Sequence, residues 1–274
     1  MVSTIRSQVD DVPWYHTIEL PGGVVTPGRW DTRGVRAHVP FPASLQGKRC
    51  LDVGTWDGFW AFEMERRQAS EVVAIDLDDV DRWDWPALPP PEVVARFRAG
   101  KDEDRAFSVA HAALGSKVDR RPLSVYDLSP DLSPDPSADG VGTFDFAFVG
   151  TILLHLRDPV RALSAIRGVL HGDLLVADQI SLSLSLLQPR AASAHVAGVD
   201  EPHWWTPNIA GLKRMVHAAG FEVVRSGGPY FLKPGPGAPR RDSAKARLLA
   251  RVGLPHAWVL ARPRPGPEAA ARLP

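Results

Sequence analysis

Residues 51–60 constrain this fold more than any other stretch: Leu51-Asp52-Val53-Gly54-Thr55-Trp56-Asp57-Gly58-Phe59-Trp60. The mostly apolar run 49–53 predicts a buried strand, residues 54–58 a tight turn, and residues 59–66 the first helix of a βαβ unit. Glycines without a Cβ let the chain turn sharply and let a ligand approach the main chain, while the helix that follows offers free N–H groups. A second apolar run, 72–75, leads to Asp76, placed to accept hydrogen bonds from ribose hydroxyls. Strand, glycine turn, helix, strand and acid together predict a nucleotide-cofactor site. The combination is a stronger signal than glycine spacing alone.

The turn also narrows the cofactor. A dinucleotide site needs G-x-G-x-x-G, whose middle glycine lets the backbone touch a pyrophosphate, and here that position is Trp56. A Walker loop is excluded because no G-K-[ST] follows the turn. S-adenosylmethionine has no phosphate. Its zwitterionic tail can be held by Gly54 and by polar groups such as Thr55, with Asp52 and Asp57 near the ammonium and sulfonium.

The chain has 274 residues, 44% of them hydrophobic, and its 32 Lys+Arg balance 32 Asp+Glu. That length fits one large domain with excursions, or one domain plus a cap. With no net charge there is no global field steering the protein toward nucleic acid or an acidic membrane. The densest basic cluster, Arg240, Arg241, Lys245 and Arg247, reads as a solvated helix face in preference to a phosphate site. Cys50 is the one cysteine, so no disulfide forms within the chain and a Cys-based zinc site is ruled out; no metal is expected. The first residues lack the apolar core of a signal peptide and no run reaches the length of a membrane span, which reads as cytoplasmic. The oligomeric state is left open, a homodimer included.

Residues 1–45 form a leader rich in Pro and Gly, with Trp14-Tyr15-His16 and Thr26-Pro27-Gly28-Arg29-Trp30-Asp31. Such a composition gives turns and short edge strands, and aromatics beside His and Arg on loops suit a ligand lid. The main domain spans 46–262, with cap insertions at about 79–118 and 181–206 and a tail at 263–274. In the first insertion the run Pro89-Pro90-Pro91 reads as an excursion rather than a helix, followed by a helix at 102–114 that Gly115 ends. A third strand is expected at 121–125, so that Val125, Tyr126 and Asp127 flank the adenine. A surface loop, 129–142, precedes a fourth strand at 144–149 that ends at Gly150-Thr151, where a glycine leaves room for methyl and acceptor to meet. Asp158 is the natural N-cap of a helix at 160–170, with Pro159 in its first turn and His171 in a surface turn after it. Strands at 174–177, 221–224 and 256–261 and helices at 209–219 and 242–250 complete the pattern, the 181–199 segment reading as a strand or an irregular cap. Seven strands alternating with helices predict a Rossmann-like doubly wound α/β sheet with an N-terminal lid and insertions.

In this order the motifs resemble class I S-adenosylmethionine-dependent methyltransferases over residues 48–221 and the last strand. Within them the chain is similar to the group containing the tRNA wobble-uridine carboxymethyltransferase. The matching pieces are Trp14-Tyr15-His16, Thr26-Pro27-Gly28, Leu51-Asp52-Val53-Gly54, Tyr126-Asp127-Leu128, Leu153-Leu154-His155-Leu156-Arg157-Asp158-Pro159 and Trp205-Thr206-Pro207-Asn208. The resemblance implies, for the tRNA enzyme, carboxy-S-adenosylmethionine whose extra carboxylate is gripped by a lysine, a tyrosine and an arginine. Motif alignment puts Leu154 at the tyrosine, about His256 at the arginine, and near His16 at the lysine. Leucine cannot hydrogen-bond a carboxylate, and burying an unpaired charge is costly. Ordinary S-adenosylmethionine is therefore expected over the carboxylated form, and the neutral composition weakens a tRNA substrate.

The expected chemistry is methyl transfer to a small-molecule acceptor such as a secondary metabolite. Methyl transfer is an in-line displacement, so alignment dominates and a base is sometimes needed. Trp30, Asp52, Gly54, Thr55, Asp57, Asp76, Leu77, Val125, Tyr126 and Gly150 are the expected cofactor residues. His155 and His16 are the candidate bases, because imidazole titrates near neutrality. Tyr15, Thr151, Trp204 and Trp205, with Trp30, are candidates to wall the acceptor pocket. A tRNA-modifying enzyme, a nicotinamide oxidoreductase and a non-catalytic cofactor-binding protein are the competing readings.

Overall fold

The structure, a computed structural model, describes residues 2–131, 140–199, 202–239 and 251–265. The basic cluster at 240–247 and the expected helix 242–250 lie outside the described residues, as do much of the 129–142 loop and most of the tail.

The leader carries helix α1 (Val2–Asp10), the antiparallel pair β1 (Glu19–Leu20) and β2 (Val24–Val25), and β3 (Trp30–Asp31). Then come β4 (Arg49–Val53), α2 (Phe59–Arg66) and β5 (Glu71–Ile75), matching the expected strand, helix and strand. Helix α3 (Pro91–Lys101) was not anticipated: it begins on the last proline of the run, where the missing N–H and fixed φ are compatible with a first turn. Helix α4 (Arg105–Leu114) ends on Gly115 at φ 61°. Strand β6 (Asp119–Arg121) stops short of the expected 121–125, because the Ser124 side chain accepts from the Tyr126 N–H and turns Val125–Asp127 into a 3-10 turn.

Strand β7 (Phe144–Gly150) leads to α5 (Pro159–Val169), capped by Asp158, which accepts from the Arg161 N–H at 2.9 Å. Strand β8 (Leu170–Gln179) takes in His171, expected in a turn; the imidazole pairs with Asp145 at 2.9 Å instead. The ambiguous segment resolves into α6 (Leu182–Leu187) and β9 (Ala194–Val196), which pairs with β10 (Trp205–Pro207). Helix α7 (Ile209–Ala218), capped by Asn208, precedes the antiparallel strands β11 (Phe221–Pro234) and β12 (Leu254–Pro263). No described helix is long and apolar enough to cross a membrane.

The large sheet has the order β3-β11-β12-β8-β7-β4-β5-β6, with β6 through β8 mutually parallel and β12, β11 and β3 antiparallel to their neighbours. It holds eight strands rather than the expected seven, because β3 of the leader pairs with Lys233 and Pro234 of β11.

Period-two alternation sorts the strands onto two cores. Cys50, Val72, Ala74, Phe146, Phe148 and Leu175 pack with α2, α4 and the leader residues Trp14, Ile18, Leu20 and Phe41. Leu51, Val53, Val73, Ile75, Val149 and Val176 pack with α5 and α7 through Leu163, Ile166, Leu212 and Val216. Each such large buried side chain stabilises the fold by about 1.5–3 kcal/mol. The leader is thus built into one core rather than laid over it. The chain runs from β4 to β5 on one side and returns through β7 on the other, so the strand order reverses at β4, where open α/β sheets bind ligands at strand carboxyl ends.

Candidate functional site

A cavity of about 730 Å³ lies at those strand ends, within the roughly 300–1,000 Å³ usual for small-molecule sites. Its wall joins Tyr15, His16 and Trp30 of the leader to Asp52, Gly54 and Trp56 of the glycine turn, Asp76 and Leu77 after β5, and Trp83, Arg96 and Phe97 of the first insertion.

The turn is held from below. Gly54, at φ 75°, donates to the Ile75 carbonyl at 2.9 Å, and a Cβ there would stand 2.5 Å from Ile152 Cδ1. Trp56 is at φ 50°, a region that bulky side chains rarely adopt. Its N–H donates to Asp76 Oδ2 at 2.6 Å, and its ring stacks on Tyr15 with centroids 4.7 Å apart. Asp76 Oδ1 accepts from the Leu77 N–H at 2.8 Å, while Lys101 Nζ, at the end of α3, stands 2.8 Å from Oδ2. Lys101 is 1% exposed. Nothing in the sequence pattern marks it, because a lysine in the last turn of a helix ordinarily complements the helix dipole in solvent.

Asp52 is buried, and burial pushes its carboxyl up to about 7. Its Oδ2, like the Trp56 indole Nε1, has no hydrogen-bond partner among the described residues. Asp52 and Trp56 line the same cavity as Asp76. An acceptor for an ammonium, an indole donor and an acid for ribose hydroxyls fit S-adenosylmethionine.

Two expected cofactor residues are used otherwise. Asp57 does not line the cavity: it accepts from the Tyr15 N–H at 2.9 Å and the His16 N–H at 2.7 Å, and its Oδ1 takes the His16 Nδ1. It anchors the leader to the turn. Thr55 is likewise buried away from the cavity. Leu77, Val125 and Tyr126 line the wall, and Tyr126 is clamped, its hydroxyl donating to Asp84 Oδ2 at 2.6 Å and accepting from the Asp158 N–H at 3.1 Å. Gly150 and Thr151 line it too, but the missing Cβ at Gly150 is needed for packing, since it would meet the Phe148 ring at 2.5 Å.

His155 lines the cavity and donates from Nδ1 to the Pro202 carbonyl at 2.7 Å. Burial first, then the neighbouring His203, hold its imidazole down to about 4. The expectation of a base titrating near neutrality is therefore corrected for His155. His16, also on the cavity wall, has its Nδ1 fixed by the fully buried Asp57 carboxylate, an Asp–His pair spanning 41 residues that no local pattern marks. Trp204 and Trp205 do not line the cavity, contrary to expectation; their indole N–H groups donate to the Asp84 and Arg157 carbonyls at 2.7 and 3.1 Å. The second insertion reaches the cavity through Pro202 and His203 instead.

Sequence reasoning also missed Asp84, Asp178 and Gln179. Asp84 joins the first insertion to Tyr126, Arg157 and Trp204. Asp178 accepts from the Leu153 and Gln179 N–H groups at 2.8 and 2.7 Å, and burial pushes it up to about 7. An acid inside an apolar strand was the available signal.

Residues 31–226 match a family model described as a methyltransferase domain. A tRNA U34 carboxymethyltransferase from Pseudomonas aeruginosa (strain LESB58) is 27% identical over 200 residues, 72% of this chain and 50% of the relative. One from Alcanivorax borkumensis is 28% identical over 200 residues, covering 72% and 51%. The chain spans about half the length of these curated relatives. Among solved structures, the N-terminal domain of EvdMO1 with SAH bound superposes with a TM-score of 0.55 at 16% identity over 96% of this chain and 97% of that one, a likeness of fold.

Proposed function

This chain belongs to the methyltransferase-domain family, and on that premise we propose that it transfers the methyl group of S-adenosylmethionine to a small-molecule acceptor. The observation that carries the reading is the meeting of Asp52, Gly54 and Asp76 on one cavity, with Asp52 Oδ2 left without a hydrogen-bond partner among the described residues. Asp76 takes the ribose hydroxyls, Asp52 the ammonium, and Leu77, Val125 and Tyr126 the adenine. The cofactor supplies an electrophilic methyl carbon on a positively charged sulfur. His16, oriented by Asp57, receives the proton an acceptor hydroxyl or N–H gives up, a role contributing roughly 10²–10⁴-fold where such a base is needed. Tyr15, Trp30 and Thr151 border the acceptor, and the leader and the two insertions exclude water.

The carboxylated cofactor is disfavoured by Leu154, 4% exposed and on the cavity wall, which offers a carboxylate no hydrogen bond. A tRNA acceptor is the second reading, favoured by the sequence likeness to the tRNA U34 enzymes. Binding of tRNA that falls steeply with salt would support it.

The test is mass spectrometry of the ligand that co-purifies, with calorimetry of added S-adenosylhomocysteine. S-adenosylmethionine or its demethylated product is expected. A nicotinamide nucleotide in its place, or no affinity for S-adenosylhomocysteine, overturns the reading.

A further inference from the structure

Methyl transfer as derived above uses the ends of β4, β5 and β7. The cavity continues past them to β8, β11 and β12, where Gln179, Leu232, Leu254 and His256 line it. His256 pairs with Gln179 of β8 on one side and with Tyr230 of β11 on the other, and its ring stacks on Tyr230 with centroids 5.6 Å apart. Leu254 lies two residues before it, opposite Leu232, so both leucines share its face of the sheet.

The imidazole is 1% exposed. Its Nδ1 is 2.9 Å from the Leu254 carbonyl oxygen, which only accepts, so Nδ1 carries the hydrogen and Nε2 carries a lone pair. Nε2 has no hydrogen-bond partner among the described residues. A buried acceptor without a donor is destabilising, and a ligand is one source of the donor. Burial holds the ring down to about 4, so it stays neutral at physiological pH.

Resting on the methyltransferase reading, we propose that His256 determines acceptor specificity: its Nε2 accepts a hydrogen bond from a hydroxyl or N–H of a neutral, largely apolar acceptor whose body packs on Leu232 and Leu254. A carboxylate is rejected there. Its oxygens are themselves acceptors, and a neutral imidazole offers them neither charge nor hydrogen.

The test uses full-length protein saturated with S-adenosylhomocysteine, and phenol and toluene as probes of one shape with and without a donor. Phenol should shift the His256 Nε2 resonance in ¹⁵N NMR of the wild type, and toluene should not. In His256→Phe the ratio of phenol to toluene affinity should fall about tenfold, the scale of one hydrogen bond, with S-adenosylhomocysteine affinity unchanged. An unmoved Nε2 resonance in phenol, or an unaltered ratio in the variant, overturns the proposal. The wild-type measurement decides alone if the variant does not fold. Failure of S-adenosylhomocysteine to bind the wild type instead removes the methyltransferase reading, and this inference with it.

Discussion

Lys101 Nζ lies 2.8 Å from Asp76 Oδ2, inside the protein, with 1% of the lysine side chain exposed. The acid assigned to the ribose is therefore already paired with the insertion that covers it, and the Trp56 N–H shares the same oxygen. A ribose hydroxyl at Oδ2 has to share or displace the ammonium.

Removing Lys101 leaves a nearly buried carboxylate without its cation. Lys101→Met should lower the stability of the ligand-free protein by about 3–5 kcal/mol, read by urea unfolding. S-adenosylhomocysteine should raise the melting temperature more in this variant than in the wild type, because ribose hydroxyls then meet an acid with free acceptor capacity. Wild-type stability in the variant would show that the pair does not hold the insertion down.

With His16 proposed as the base, a change at the His16–Asp57 pair should separate catalysis from cofactor binding. His16→Gln should lower kcat by roughly 10²-fold or more once an acceptor is in hand, while S-adenosylhomocysteine affinity stays within about threefold, since no cofactor contact is assigned to His16. Equal losses in both measurements would make His16 part of the cofactor grip instead.

The two elements around the glycine turn were legible because local signals agree there: an apolar run, two glycines that adopt positive φ at Gly54 and Gly58, and an acid at the next strand tip. Asp158 as a cap was equally readable, since capping is local. What escaped was long-range pairing. Asp57 looks like an acid near a cation until the leader folds back 41 residues onto it. Trp204 and Trp205 look like pocket walls until their N–H groups find the Asp84 and Arg157 carbonyls. Helix α3 was hidden by its own prolines, which break a helix interior but suit a first turn.

With Asp52 assigned to the ammonium, cofactor binding should depend on pH in a definite direction. In the free protein burial holds its carboxyl at about 7, so it is largely neutral below that pH. An ammonium favours the ionised form, and binding then releases a proton. Affinity for S-adenosylhomocysteine should accordingly climb as pH rises from about 5 to 7, by at most about tenfold per pH unit, and level off above. Asp52→Asn should flatten the curve. Calorimetry in buffers of different ionisation enthalpy detects the proton; its absence would detach Asp52 from the ligand cation.

His155 should remain neutral through the physiological range. Burial and His203 hold it at about 4, so its NMR resonances should show no inflection between pH 5 and 8. An unfolded chain protonates this imidazole near 6.5, so its contribution to stability is present at neutral pH and lost as pH falls from about 6.5 to 4. An inflection near 6.5 in the folded protein would restore His155 as a base titrating near neutrality.

Asp76 as the ribose acid is the assignment on which cofactor binding turns. Calorimetry of S-adenosylhomocysteine binding to folded Asp76→Ala tests it directly. Losing charge-assisted hydrogen bonds to two hydroxyls should weaken binding by about a hundredfold or more. A dissociation constant within about twofold of wild type would contradict the assignment.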